Sequence, residues 1–81
     1  MEKEILIKNT VGLHASLAAK VVQAASKFKV EITLDYNGKI IDAKSILGLM
    51  SLAIPSGENV KLIATGEDAE KAILEIEKIL G

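Results

Sequence analysis

The chain has 81 residues, a formal net charge of -1, one phenylalanine, one tyrosine and no cysteine. This length suits a single domain that depends on one core, and the absence of cysteine excludes disulfides and thiolate metal sites. Few aromatic residues and interspersed charges argue against nucleic acid or anionic lipid as a direct partner. No apolar stretch approaches the roughly 20 residues that span a bilayer, so we expect a cytoplasmic protein without membrane insertion.

Alternating apolar residues predict four strands, and apolar residues spaced by three and four predict three helices. The pair Asn37-Gly38 favours a type I′ turn between two neighbouring strands. In chain order, the sequence predicts strand 4–8, helix 15–27, strands 30–35 and 39–42, helix 43–52, strand 59–64 and a last helix after Glu67 and Asp68. The order β-α-β-β-α-β-α predicts an α+β open-faced β-sandwich in one domain, residues 1–81, with a four-stranded antiparallel sheet and three helices on one face.

The same patterns predict which side chains are buried. We expect the core to contain Ile5, Ile7, Ala18, Val21, Val22, Ala25, Phe28, Val30, Ile32, Leu34, Leu49, Leu52, Val60, Leu62, Ala69, Ala72, Ile73, Ile76, Ile79 and Leu80. The short middle helix also carries Ile46, Leu47 and Met50 on another side. Because one short helix cannot bury every face, we expect these three side chains to form an exposed apolar patch.

The only histidine, His14, lies between a glycine and the start of the first predicted helix. Gly12 permits a backbone conformation that is closed to most residues, so we expect His14 at or beside the N-cap. The first-turn backbone N–H groups have no intrahelical partner there, and the positive end of the helix dipole points outward. This setting disfavours imidazolium and suits a neutral nucleophile that accepts a phosphoryl group. The alternative is a surface or capping histidine with no chemical task.

The sequence lacks the residues that metal binding, triad catalysis or nucleotide binding would require. A metal site needs two or three converging donors, and His14 has no second histidine or cysteine to join it. No spacing suggests a catalytic triad, and no glycine-rich loop of the nucleotide-binding kind occurs. We therefore expect no metal and no cofactor, and a phosphoryl donor carried by another protein.

Four segments of the chain carry a family resemblance: residues 12–15 with Ala18-Ala19, 22–28, 43–52 and 66–68. Together they resemble HPr, the histidine-containing phosphocarrier of the bacterial sugar phosphotransferase system, over the whole chain. The resemblance implies that His14 receives a phosphoryl group from enzyme I and passes it to enzyme IIA domains for sugar uptake. It implies a carrier and not an enzyme.

The resemblance also gives Ser45 a role. It implies that Ser45 is phosphorylated by HPr kinase/phosphorylase in bacteria that have this enzyme, with a catabolite-control transcription regulator as a further partner. A phosphate there would add negative charge at a helix N-terminus beside the docking surface. A plain N-cap serine is the alternative, and the two roles can coexist.

In the family, the outer face of the first helix and the surface of the short helix meet partner proteins. This implies docking through Leu17, Lys20, Ile46, Leu47 and Met50. Met50 is adaptable enough to fit several partners.

The chain departs from the family after the histidine and alanine. The family has arginine and then proline, where this chain has Ser16 and Leu17, and all ten of its basic residues are lysine. We expect the phosphoryl group to be held mainly by the backbone N–H groups of Ala15, Ser16 and Leu17, with slowed transfer. Two hypotheses follow: a working phosphocarrier with an altered turn, or a regulatory binding module with weak or no transfer at His14. A third reading makes Ser16 and Leu17 introduced replacements in an ordinary member.

Overall fold

The computed structural model describes residues 1–8 and 12–81, so residues 9–11, which lie between the first predicted strand and the first predicted helix, are outside the described part. The elements are β1 (Glu2–Leu6), α1 (Ala15–Ser26), β2 (Glu31–Tyr36), β3 (Lys39–Asp42), α2 (Ile46–Ser51), β4 (Asn59–Thr65) and α3 (Ala69–Leu80). The sheet has the order β1-β4-β2-β3, and all its pairings are antiparallel. The predicted α+β open-faced sandwich and its element order are confirmed.

The element boundaries differ from the predicted ones where the backbone changes hydrogen-bond partners. β1 ends at Leu6 because Ile7 N–H donates to the Glu58 carbonyl oxygen at 3.0 Å and Lys8 N–H to that of Leu80 at 3.3 Å, both outside the strand pairing. The β2–β3 turn agrees with the sequence, since Asn37 and Gly38 both have positive φ, 52° and 86°. The local turn chemistry therefore fixes the hairpin, while contacts with the rest of the chain end β1.

The core lies between the helices and one face of the sheet. Register places apolar residues opposite one another, as in the row of the buried Leu62 and Leu34 and the partly buried Ile41 across three strands. Most of the predicted core is buried as expected, but Val22, Phe28 and Ile79 are only partly buried, since they pack against the buried cluster from its margin. Six core residues in the described part of the chain were not predicted: Leu13, Leu17, Ala24, Ala43, Ile54 and Ala64. No helix in the described part of the chain is long and apolar enough to cross a membrane.

The single tyrosine supplies a pH-dependent contact at one end of the sheet. Tyr36 O–H donates to Glu58 Oε1 at 2.9 Å, and this hydrogen bond, with burial and the Glu58 charge, raises the pKa of Tyr36 above its ordinary value. The bond stabilises the fold below the pKa of the tyrosine in the unfolded chain and is lost as pH rises through the folded value. We expect Glu58→Gln to lower the pKa of Tyr36, followed by the ultraviolet absorbance of tyrosinate. An unchanged titration curve would contradict this assignment.

Candidate functional site

His14 is the N-cap residue of α1, as the sequence predicts. Its backbone is extended, with φ -99° and ψ 175°, and its carbonyl oxygen accepts the Ala18 N–H at 2.8 Å. Its exposed side chain also caps the helix, because Leu17 N–H donates to His14 Nδ1 at 3.4 Å. Since Nδ1 accepts this bond, the neutral ring carries its proton on Nε2 and turns the Nδ1 lone pair toward the first turn of α1.

The residues before His14 are tied to the segment that follows α2. Leu13 N–H donates to the Ile54 carbonyl oxygen at 2.8 Å, and the Leu13 side chain is buried. Gly12 has a φ of 86°, and a Cβ at this position would overlap the Ile54 carbonyl oxygen. The histidine therefore projects from a backbone that is held by the core and not from a freely exposed loop.

The first turn of α1 supplies the backbone donors that were predicted for an anion. Ala15 and Ser16 are exposed. Their N–H groups lie at the start of the helix, so no helical carbonyl oxygen four positions earlier can accept them. The third predicted donor, Leu17 N–H, is directed at His14 Nδ1. At 3.4 Å this hydrogen bond is long and therefore weak. The Leu17 N–H could instead donate to an anionic group attached to Nδ1.

The predicted exposure of the Leu17 side chain is wrong. Leu17 is only 9% exposed and belongs to the core, because it shares the buried side of α1 with Val21 and Ala24. These three residues follow the spacing i, i+4 and i+7, a helical signal that was present in the sequence. Lys20 is exposed on α1 as expected, and it forms no ion pair with any residue in the described part of the chain.

The short helix α2 divides into a buried and an exposed side as predicted. Leu49 and Leu52 are buried. The exposed apolar patch consists of Ile46, Leu47 and Met50, whose exposed fractions are 39%, 78% and 44%. The helix α2 contacts α1, the helix that His14 caps. No element in the described part of the chain covers these three side chains.

Ser45 is the N-cap residue of α2, as predicted. Its Oγ accepts the Gly48 N–H at 3.1 Å, and its side chain is half-buried. We expect Ser45→Ala to lower the free energy of unfolding by about 1 kcal/mol, because a first-turn N–H loses its acceptor. In a domain of this size, the Tm should fall by about 4–8 °C.

Ser51→Ala is the matched control for this loss of a cap. Ser51 Oγ lies in the last turn of the same helix and donates to the Gly48 carbonyl oxygen at 2.6 Å, so its removal leaves no first-turn N–H without an acceptor. We expect the free energy of unfolding to change by less than about 0.5 kcal/mol. Equal losses in the two variants, measured by thermal unfolding, would show that Ser45 does not act as a cap.

No group of three or more metal-ligating His, Asp or Glu side chains occurs in residues 1–8 and 12–81. The site therefore consists of an exposed imidazole at a helix N-terminus, exposed first-turn N–H groups and an apolar patch on the neighbouring helix. Such an arrangement can present a nucleophilic nitrogen to a donor on another protein.

Comparison with known proteins assigns the family. The family described as "PTS HPr component phosphorylation site" matches residues 1–81, so the chain belongs to the HPr family of the phosphotransferase system. This is a family of phosphocarriers and not of catalytic enzymes, and its partners in general are proteins of that system such as enzyme I and enzyme IIA.

Three relatives illustrate the likeness. HPr-like protein Crh of Halalkalibacterium halodurans is 47% identical over 73 residues, which cover 90% of this chain and 87% of the relative. The crystal structure of HPr-C-His from Thermoanaerobacter tengcongensis has a TM-score of 0.93 at 46% identity and covers 99% of this chain and 90% of that one. Phosphocarrier protein HPr of Bacillus anthracis has a TM-score of 0.95 at 36% identity, covering 100% and 96%.

Proposed function

We propose that the protein is a phosphocarrier that accepts a phosphoryl group from enzyme I on Nδ1 of His14 and passes it to enzyme IIA domains. The observation that carries this proposal is the hydrogen bond from Leu17 N–H to Nδ1, which marks Nδ1 as the nitrogen with the free electron pair. The lone pair attacks phosphorus, a nitrogen–phosphorus bond forms, and the bond to the donor breaks with its electrons. The ring proton stays on Nε2, and the reverse displacement delivers the group to the next acceptor.

The first turn of α1 stabilises the product of this step. A phosphoryl group on Nδ1 brings negative charge beside the N–H groups of Ala15, Ser16 and Leu17 and the positive end of the helix dipole. Leu17 N–H exchanges the ring nitrogen for a phosphoryl oxygen, which is the stronger acceptor because it is charged. The site lacks the planar two-pronged donor that an arginine would supply, since every basic residue in the chain is lysine.

Docking uses the exposed apolar patch and the outer side of α1. Ile46, Leu47 and Met50 provide apolar area that leaves water when a partner binds, and Lys20 adds a positive charge on α1. A patch of only a few side chains suits partners that bind briefly and leave, as a carrier between two proteins requires. The buried side chain of Leu17 takes no part in this surface.

The experiment is a transfer assay with enzyme I and labelled phosphoenolpyruvate. We expect one label per molecule, located on His14, that acid removes and base does not, as a phosphoramidate bond requires. Addition of an enzyme IIA domain should then remove the label. A protein that remains unlabelled under conditions in which another HPr is labelled would refute the carrier function.

A single substitution tests whether the missing cation limits the rate. We expect Ser16→Arg to raise the initial rate of His14 labelling by about tenfold, because a charge-assisted hydrogen bond to the transferred group contributes about 1.5–3 kcal/mol. Ser16→Lys is the matched control, since it adds the same charge without the planar fork, and a smaller gain is expected. If neither variant exceeds the parent protein, the backbone donors alone set the rate.

A regulatory role at Ser45 is the second candidate, favoured by the relative named HPr-like protein Crh. In this role, Ser45 is phosphorylated by HPr kinase/phosphorylase, and the modified α2 binds a catabolite-control transcription regulator. The half-buried Oγ would have to leave Gly48 N–H, and the phosphate would then lie at the start of α2. ATP and the kinase should label the parent protein but not Ser45→Ala. Labelling of both proteins, or of neither, would exclude Ser45 as the modified residue.

A further inference from the structure

Ala53 has a backbone conformation that alanine rarely adopts. Its φ is 48°, and Asn37 is the only other non-glycine residue with a positive φ in the described part of the chain. Ala53 follows Leu52, the C-cap of α2, at a position where helices commonly have glycine. The Cβ of an L-residue crowds the backbone in this region, so surrounding contacts must hold Ala53 there.

Contacts on both sides hold this turn. Ala53 N–H donates to the Met50 carbonyl oxygen at 3.3 Å and so closes the end of α2. The next residue, Ile54, is 2% exposed, and its carbonyl oxygen accepts the Leu13 N–H at 2.8 Å. The turn at Ala53 therefore lets Ile54 bury its side chain while its carbonyl group faces the residues that lead to His14.

The Ile54 carbonyl group fixes the backbone before His14 at two points. It binds Leu13 N–H, and it lies so close to Gly12 that a Cβ on this glycine would overlap the oxygen. His14 N–H in turn donates to the Gly12 carbonyl oxygen at 3.1 Å. A chain of backbone contacts thus runs from the end of α2 to the residue that carries the imidazole.

We propose that Ala53 is a positioning residue for His14. By keeping the left-handed turn after α2, it holds the Ile54 carbonyl group against Gly12 and Leu13 and keeps the imidazole at the N-terminus of α1. The inference rests on the proposed phosphoryl acceptance at His14. A residue that disfavours positive φ at position 53 displaces this carbonyl group and slows phosphorylation, although it replaces neither the imidazole nor a side chain of the apolar patch.

A graded series at position 53 tests this role. Ala53→Gly, Ala53→Leu and Ala53→Val are compared in the rate of His14 labelling, first by phosphoramidate, a small donor that needs no docking, and then by enzyme I with phosphoenolpyruvate. We expect the glycine variant within about twofold of the parent, the valine variant slower by about tenfold and the leucine variant between them, because small displacements of a reacting group cost large factors in rate. Hydrogen exchange of the Leu13 amide should be slowest in the glycine variant, faster in the leucine variant and fastest in the valine variant.

Asn37→Val is the matched control, because it places the same β-branched residue at a positive φ of 52° in the β2–β3 turn. We expect it to lower the Tm as Ala53→Val does, while phosphoramidate labelling and Leu13 exchange stay at the parent values. Equal slowing in both valine variants, or a folded Ala53→Val that labels at the parent rate, would overturn the proposal. If Ala53→Val does not fold, Ala53→Leu decides by the same criteria.

The two proposals fail in different ways in this experiment. A parent protein that enzyme I does not label refutes the carrier function. Phosphoramidate labelling and Leu13 exchange still report whether position 53 holds the imidazole in place, since neither measurement involves a partner protein.

Discussion

His14→Asn should abolish phosphoryl acceptance and leave the fold intact. Asparagine is among the best N-cap residues, so its side-chain oxygen should accept the Leu17 N–H that now donates to Nδ1. The amide has no nucleophilic nitrogen, and we expect labelling by enzyme I to fall by a factor on the order of 1,000 or more, to the limit of detection. Thermal unfolding should show a Tm equal to that of the parent protein or slightly above it.

His14→Ala separates capping from chemistry. Alanine removes both the nucleophile and the cap, so labelling is again lost, and the free energy of unfolding should also fall by about 1 kcal/mol. Retention of more than a trace of acid-labile label in either variant would place the phosphoryl group on another residue. A Tm that does not fall in the alanine variant would show that the imidazole does not cap α1 in solution.

Gly12→Ala should be the most destabilising single-methyl change at the site. Its φ is 86°, and the added Cβ would overlap the Ile54 carbonyl oxygen and lie 2.9 Å from backbone carbons of Pro55. Alanine at this positive φ costs about 1–2 kcal/mol, and the overlap of its Cβ with the Ile54 carbonyl oxygen costs about 1–3 kcal/mol. Together they should lower the free energy of unfolding by about 3 kcal/mol. Chemical denaturation measures this loss, and the Tm should fall by about 12–24 °C.

Gly38→Ala isolates the conformational part of this cost. Gly38 has the same φ of 86°, but a Cβ there would meet no atom within 4 Å. We therefore expect a loss of only about 1–2 kcal/mol. Equal losses at the two positions would mean that the Ile54 carbonyl group does not press against Gly12, and this result would also weaken the case for Ala53 as a positioning residue.

The parts of the site that depend on neighbouring residues could be predicted from the sequence. A capping position is set by a short segment, so Gly12 before His14 and the helical run after it were enough to place the histidine at the start of α1. Ser45 before the apolar residues of α2 gave the second cap in the same way. The two sides of α2 also followed from the spacing of its apolar residues. A short helix packs against the core on one side only, so Ile46, Leu47 and Met50 cannot be buried together with Leu49.

The Leu17 side chain shows where this reasoning fails. A residue in the first turn of a helix can face the core or the solvent, depending on how the helix is rotated against the sheet. Leu17 was assigned to the docking surface through a family position that normally holds proline, whereas packing turns it inward beside Val21 and Ala24. The apolar spacing within α1 was the better guide, because burial of a leucine side chain stabilises the fold by about 1.5–3 kcal/mol.

The sequence by itself determined the order of elements, the two helix caps, the hairpin turn and the presence of a lone histidine that suits phosphoryl acceptance. Only the tertiary structure decided that the Ile54 carbonyl group holds Gly12 and Leu13. Periodicity and capping leave a signal in the residue types of a short segment. A hydrogen bond between backbone groups far apart in the chain leaves none, because every residue except proline carries the same N–H and C=O groups.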